Sequence, residues 1–183
     1  FLPVAERYAL ASRIDRWVVD EVFDWLSYRP ERLSGIDSLS INLSGQSVSD
    51  PEFQQFMIDR LQALRFDQRA LCFEVTETSA ITNMQQSIDF GASAVYVQGL
   101  RSFGARVALD DFGSGMSSFT YLKNLPVDDL KIDGQFMRQL STDSYDQATV
   151  RAICEVARAT GKKTVAEGIE TEEVAAMLRA FGV

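Results

Sequence analysis

Apolar residues recur along this chain in two alternating patterns, one helical and one strand-like. Ile14, Trp17, Val18, Val22, Trp25 and Leu26 fall at helical spacing and predict a first long helix, ending near the turn from Tyr28 to Glu31 that contains Pro30. The run Leu39-Ser-Ile-Asn-Leu43 then predicts a strand. Asp50 followed by Pro51 has the layout of a helix cap with proline in the first turn, and Phe53, Phe56, Met57, Leu61 and Leu64 supply the buried stripe of that helix.

The order repeats. A strand is predicted at Leu71 to Val75, a helical stretch from about Met84 to Phe103, and a strand at Arg106 to Leu109. Ser117 to Lys123 predicts a short helix, followed by a strand at Asp129 to Ile132. Val150, Ile153, Cys154 and Ala157 mark a helix face ended by Gly161, and Lys163 to Ala166 a fifth strand. Thr171 caps a last helix bearing Val174, Met177, Leu178 and Phe181. Alternation at this spacing implies right-handed βαβ units and a mainly parallel sheet, hence an α/β fold of barrel or open-sheet type.

Polar groups sit where the apolar runs stop. Asn42, Glu74, the pair Asp110-Asp111, Lys131 and Glu167 each lie at a predicted strand end. Parallel strands finish on one face, and ligands bind at that face. Two carboxylates about 4 Å apart repel by roughly 4 kcal/mol at an effective dielectric of about 20, so such a cluster calls for a proton or a metal. Asp110 and Asp111 are consecutive and can reach one ion pair only if the strand has ended at about Asp110; Gly113 and Gly115 make that turn feasible.

Composition narrows the chemistry. The chain has 183 residues, 46% of them apolar, which is enough for one globular core without a composition break. Its formal net charge of −8 argues against polymeric DNA or RNA as a partner, which needs a basic stripe. No apolar run approaches the roughly 20 residues needed to cross a bilayer. Cys72 and Cys154 lie far apart in apolar runs and read as buried structural cysteines. Histidine is absent, which removes Ser-His-Asp and Cys-His hydrolases and histidine-ligated zinc. Hydrolytic chemistry must run on carboxylates, lysine and oxygen-bound metal.

Six ordered segments, Phe1-Leu-Pro-Val-Ala-Glu6, Ser40-Ile-Asn-Leu-Ser44, Phe73-Glu-Val-Thr-Glu77, Leu109-Asp-Asp-Phe-Gly113, Leu130-Lys-Ile-Asp133 and Val165-Ala-Glu-Gly-Ile-Glu170, resemble the bacterial EAL domain. The resemblance implies a TIM-like (β/α) barrel that hydrolyses cyclic di-GMP to the linear dinucleotide. It implies that Asn42, Glu74 and Asp110 are ligands of a first Mg²⁺ or Mn²⁺ ion and Asp111 of a second. Glu167 matches the acid that supports the nucleophilic water, and Lys131 the lysine near that water and the scissile phosphate. Glu77 matches a glutamate that holds the loop after Asp111; Asp133 and Glu170 match further supporting acids. The segment from Met116 to Tyr121 resembles a loop linked to homodimer formation. A bacterial cytoplasmic setting is implied, with membrane tethering of a larger parent protein left open.

The chain departs from the family in two respects. Phe90 to Gly99 lengthens the connection before Asp110, and its two glycines and Val95-Tyr-Val97 predict a break, a bulged helix or a contact loop. Tyr96-Val-Gln-Gly99 looks like a family glutamine motif, but its place ahead of Asp110 sets Gln98 aside. The Glu-Ala-Leu tripeptide and the final strand are not visible, so the expectation is a single EAL-type domain over residues 1–183, incomplete at both ends.

Each residue also has an ordinary reading. Asn42 alone would serve as a turn or cap, Glu74 and Glu77 as a solvated strand exit, and Lys131 with Asp133 as a surface pair worth under about 1 kcal/mol. Glu167 and Glu170 precede a helix N-terminus, where acids are favourable in any case. Asp110-Asp-Phe-Gly113 resembles a kinase metal motif, but no glycine-rich phosphate loop precedes it. An unrelated sugar- or phosphate-processing barrel would not account for the six segments. The alternative within the family is a catalytically impaired cyclic di-GMP receptor.

Overall fold

The computed structural model describes residues 1–33, 35–80, 92–114, 121–123 and 125–183. The chain divides into two compact units, Phe1–Val75 with Ser79–Val107, and Thr76–Thr78 with Ala108–Val183.

The first unit opens with α1 (Leu2–Arg7) and α2 (Ala11–Tyr28), followed by β1 (Leu39–Leu43), α3 (Gly45–Ser49), α4 (Pro51–Ala63), β2 (Leu71–Thr76) and α5 (Ala92–Ser102). β1 and β2 pair in parallel, from Leu39 opposite Leu71 to Leu43 opposite Val75. The Asp50 carboxylate accepts the Glu52 N–H at 2.9 Å with Pro51 at the first position, the cap expected from the sequence. Phe53, Met57 and Leu61 from α4 pack in a core with Phe23 and Leu26 of α2 and with Leu71 and Phe73 of β2. The Phe23 and Phe73 rings meet edge to face at 6.4 Å. Burying each such side chain contributes about 1.5–3 kcal/mol.

The face of α2 differs from the expectation. Val19, Phe23 and Leu26 are buried, whereas Trp17 is 63% and Trp25 47% exposed. Apolar residues cover enough of this helix for more than one rotation, and the one adopted buries Val19, Phe23 and Leu26 completely. Arg60 on α4 lies 2.9 Å from Asp20 and 2.5 Å from Asp24, partly exposed pairs along the edge of α2 that faces α4.

The connection before β3 also needs correction. Residues 92–102 form an uninterrupted α-helix through Val95, Tyr96, Val97 and Gly99. Packing overrides propensity here: Tyr96, Val97 and Leu100 are buried, and a Cβ on Gly99 would lie 3.6 Å from Ile58. Gln98 is exposed. Residues 84–91 of the expected helical stretch lie outside the described residues.

The second unit takes in most of β3 (Arg106–Phe112), then β4 (Asp129–Ile132), α6 (Ser144–Ala159), β5 (Lys163–Ala166) and α7 (Glu172–Phe181). β4 pairs in parallel with β3 and with β5, the latter from Asp129 opposite Lys163 to Ile132 opposite Ala166. The Asp143 carboxylate caps α6 through the Tyr145 N–H at 2.7 Å, and the Thr171 hydroxyl caps α7 through the Val174 N–H at 3.3 Å. Val150, Ile153, Cys154 and Ala157 form the buried face of α6. Of the short helix expected at Ser117 to Lys123, only Tyr121–Lys123 is described, as a 3-10 turn. Cys72 and Cys154 are buried and not joined in a disulfide. Among the described residues no helix is long and apolar enough to cross a membrane.

Candidate metal centre

The end of β3 is irregular where the chemistry is concentrated. Alternation would send the side chains of Asp110 and Asp111 to opposite faces. Strand pairing runs on to Phe112, beyond the end expected at Leu109, but three steps along β3 from Leu109 to Phe112 match two along β4 from Leu130 to Ile132. This is a bulge. Asp111 carries it in the left-handed region at φ +53°, and Gly113 follows at φ +95°. One carboxylate oxygen from each of Asp110, Asp111 and Glu167 then lies within 4.8 Å of the others. The bulge achieves what a strand end at Asp110 would have done.

Lys131 enters this cluster from β4. It is 9% exposed, with Nζ 3.0 Å from Asp110 Oδ1 and 2.7 Å from Glu167 Oε1. A lysine at this depth is tolerated because two carboxylates replace its lost water. Three acids facing one ammonium still leave negative charge in excess. Partial burial first, then repulsion from Asp110, Asp133 and Glu167, holds the Asp111 carboxyl above its usual range, with Lys131 pulling the other way.

Neighbouring backbone contacts keep these groups in place. Buried Glu77 accepts the Gly113 N–H at 2.9 Å, anchoring the turn after Asp111. Asp133 accepts the Gln135 N–H at 2.7 Å, while its own N–H donates to the Phe112 carbonyl at 3.3 Å. The Glu167 N–H donates to the Ile132 carbonyl at 3.4 Å. Glu170 is exposed, and the carboxylate cluster found among the described residues does not include it.

Two glycines that sequence reasoning did not single out shape the Glu167 loop. A Cβ on Gly134 would lie 3.4 Å from the Glu167 carbonyl oxygen and 3.7 Å from the Gly168 Cα, and Gly168 has φ +68°. A Cβ at either position would make only ordinary contact, so it is the left-handed backbone of Gly168 that favours glycine there. The only signal was a glycine just after each of Lys131-Ile-Asp133 and Glu167.

In the first unit, Asn42 and Glu74 are register partners on β1 and β2, so their side chains leave the same face of the paired strands. Glu74 is 6% exposed and Asn42 is exposed. Residues 115–120, which hold most of the expected dimer loop, lie outside the described residues.

The donor set of the second unit suits a hard divalent cation: carboxylate oxygens without sulfur or imidazole, with surplus negative charge at Asp110, Asp111 and Glu167. The acidic cluster can hold such an ion.

The chain is 38% identical over 183 residues to the cyclic di-GMP phosphodiesterase PdeB of Shewanella oneidensis, a match covering 100% of this chain and 21% of that protein. It is 35% identical over 183 residues to the cyclic di-GMP phosphodiesterase PdeF of Escherichia coli, covering 100% of this chain and 24% of that protein. The chain thus spans about a fifth to a quarter of the length of these curated relatives. The solved structure of the PaMucR phosphodiesterase in complex with c-di-GMP superposes with a TM-score of 0.85 at 35% identity, over 100% of this chain and 76% of that one. The fold is the one expected from the sequence, a mainly parallel α/β arrangement of TIM-like barrel type, present in part. The EAL domain pattern itself matches residues 1–183 without remainder, and the chain belongs to the EAL domain family.

Proposed function

We propose that this chain hydrolyses the bacterial second messenger cyclic di-GMP to the linear dinucleotide. The observation that carries this reading is Lys131, held between Asp110 and Glu167 at 3.0 and 2.7 Å in a domain of the EAL family. Asn42, Glu74, Asp110 and Asp111 supply the oxygen ligands for Mg²⁺ or Mn²⁺, as two ions. Bound metal provides Lewis-acid stabilisation of the phosphodiester oxygens and a more acidic water.

The chain's own residues do the rest. Glu167 orients the attacking water and accepts its proton. The Lys131 ammonium offsets negative charge as it builds on the phosphoryl oxygens. One P–O bond forms to the water oxygen, one P–O ester bond breaks, and the departing oxygen takes a proton from solvent and leaves as a hydroxyl. Glu77 keeps the turn after Asp111 in position through Gly113. Asp133 and Glu170 act as supporting acids around this set.

Cyclic di-GMP is the partner of this site, and a second copy of the chain docks through the loop and helix after Asp111. The bacterial cytoplasm, where this messenger acts, is the proposed location.

The test measures binding and turnover separately, with Mg²⁺ or Mn²⁺ present. Linear dinucleotide accumulating in proportion to protein supports the enzyme. Saturable binding of cyclic di-GMP with no linear product would reject it in favour of a receptor.

A further inference from the structure

Outside the residues given roles above, one acid makes contacts with an evident purpose. Asp15, in the second turn of α2, reaches across to the loop that leaves β1 just after Asn42. Its Oδ2 accepts the backbone N–H of Ser44 at 2.7 Å and the hydroxyl of Ser47 at 2.6 Å. Ser47 is fully buried, and its hydroxyl in turn accepts from the Ser44 hydroxyl at 3.1 Å. The Ser47 N–H donates back to the Ser44 Oγ at 3.2 Å. The two hydroxyls and the carboxylate thus form a closed chain with every proton assigned.

This arrangement exceeds what the short helix α3 needs. The Ser44 hydroxyl already caps α3. The Asp15 bond acts upstream, on the N–H at the strand exit, where buried Leu43 fixes the residue between Asn42 and Ser44. The loop is pinned from a second direction as well. A Cβ on Gly45 would lie 2.7 Å from the Ser79 Oγ, so the turn sits directly against the segment that follows Glu74 and β2.

The second unit repeats the geometry. There Glu77 accepts the N–H of Gly113, two positions after Asp111; here Asp15 accepts the N–H of Ser44, two positions after Asn42. In both places an acid from a neighbouring element grips the backbone immediately beyond an oxygen-donor residue. Charge-assisted bonds of this kind are about twice as strong as neutral ones, enough to hold a loop that would otherwise sample several conformations.

We infer that Asp15 is a positioning residue for Asn42, fixing the amide beside Glu74 through the Ser44 N–H and the Ser47 hydroxyl. The inference rests on the proposed reading of Asn42 as a metal ligand. Asp15 touches neither substrate nor metal in this account.

The test is calorimetric Mn²⁺ binding to the purified protein, with the thermal midpoint and turnover of each variant recorded beside it. Asp15→Ala should weaken Mn²⁺ binding by about 10- to 100-fold, the usual consequence of losing an outer support of a ligand. Asp15→Asn should restore binding to within about threefold, because one amide oxygen can still accept both bonds. If Asp15→Ala does not fold, Ser47→Ala, which removes one bond of the two, should weaken binding by about three- to tenfold. Wild-type Mn²⁺ affinity in Asp15→Ala, or in Ser47→Ala where the first does not fold, would overturn the inference, as would Asp15→Asn binding as weakly as Asp15→Ala. Asn42→Ala separates the two levels. If it binds Mn²⁺ like the wild type, the ligand reading itself fails; if it is weak while Asp15→Ala is normal, only the role of Asp15 is lost.

Discussion

The Lys131 ammonium lies 2.7 Å from Glu167 Oε1, so it holds the acid proposed to activate water. This contact orients Glu167, and the 3.0 Å contact to Asp110 ties both acids to β4. Lys131→Met keeps the bulk of the side chain and removes the charge. Turnover should fall by about 10²- to 10³-fold, the scale of losing one electrostatic stabiliser of a transition state. Denaturation without divalent ions should show a loss of about 1–3 kcal/mol, since two carboxylates lose their partner.

Asp111 gives a pH dependence of determined sign. Its carboxyl sits above the ordinary 3.8 because of burial and the repulsion of Asp110, Asp133 and Glu167. The folded state therefore holds a proton that the unfolded state has released across the window from 3.8 up to the folded value. Stability falls as pH rises through that window, and the penalty is fully present above it. Asp111→Asn should stabilise the metal-free protein at neutral pH, with the difference from wild type vanishing below the ordinary aspartate range. Denaturant midpoints across pH check this, and the same variant should bind Mn²⁺ more weakly.

Glu77 acts through the backbone. Glu77→Ala strands the Gly113 N–H and should cost about 1–3 kcal/mol. Glu77→Gln retains an acceptor and should cost less. Amide exchange at Gly113, faster in Glu77→Ala than in Glu77→Gln, would identify the turn as the place where order is lost.

Gly113 itself should resist substitution. At φ +95° an alanine is strained, and its Cβ would meet the Phe136 ring at 3.0 Å and Ile153 at 3.1 Å. Gly113→Ala should lower stability by about 1–3 kcal/mol, read by chemical denaturation, and lower turnover by displacing Asp111.

How far the chain could be read in advance follows the range of the forces involved. The limits of β1, β4 and β5 coincide with the strands expected at Leu39–Leu43, Asp129–Ile132 and Lys163–Ala166, because short β-favouring stretches bounded by turn and helix signals are written in consecutive residues. Lys131, Asp110 and Glu167 were candidates for the same reason. The bulge at Asp111 was not readable, since it pairs a left-handed aspartate with a bond from Glu77 to Gly113. The rotation of α2 was likewise hidden, because the surfaces that bury Phe23 and Leu26 lie on elements far along the chain, such as Phe73 of β2. Asp15 escaped notice because its partners, Ser44 and Ser47, lie far along the chain. The helix over Ala92–Ser102 shows the converse, with buried Tyr96, Val97 and Leu100 outweighing weak local propensity.

The most direct measurement is hydrolysis of cyclic di-GMP in ¹⁸O-labelled water, with Mg²⁺ or Mn²⁺ in one arm and a chelator in the other, the products read by mass spectrometry. The proposed mechanism predicts the linear dinucleotide carrying one labelled oxygen on its new terminal phosphate, formed only with metal and lost in Glu167→Gln. Intact cyclic dinucleotide at saturating metal, or linear product formed equally in the chelator arm, would contradict it.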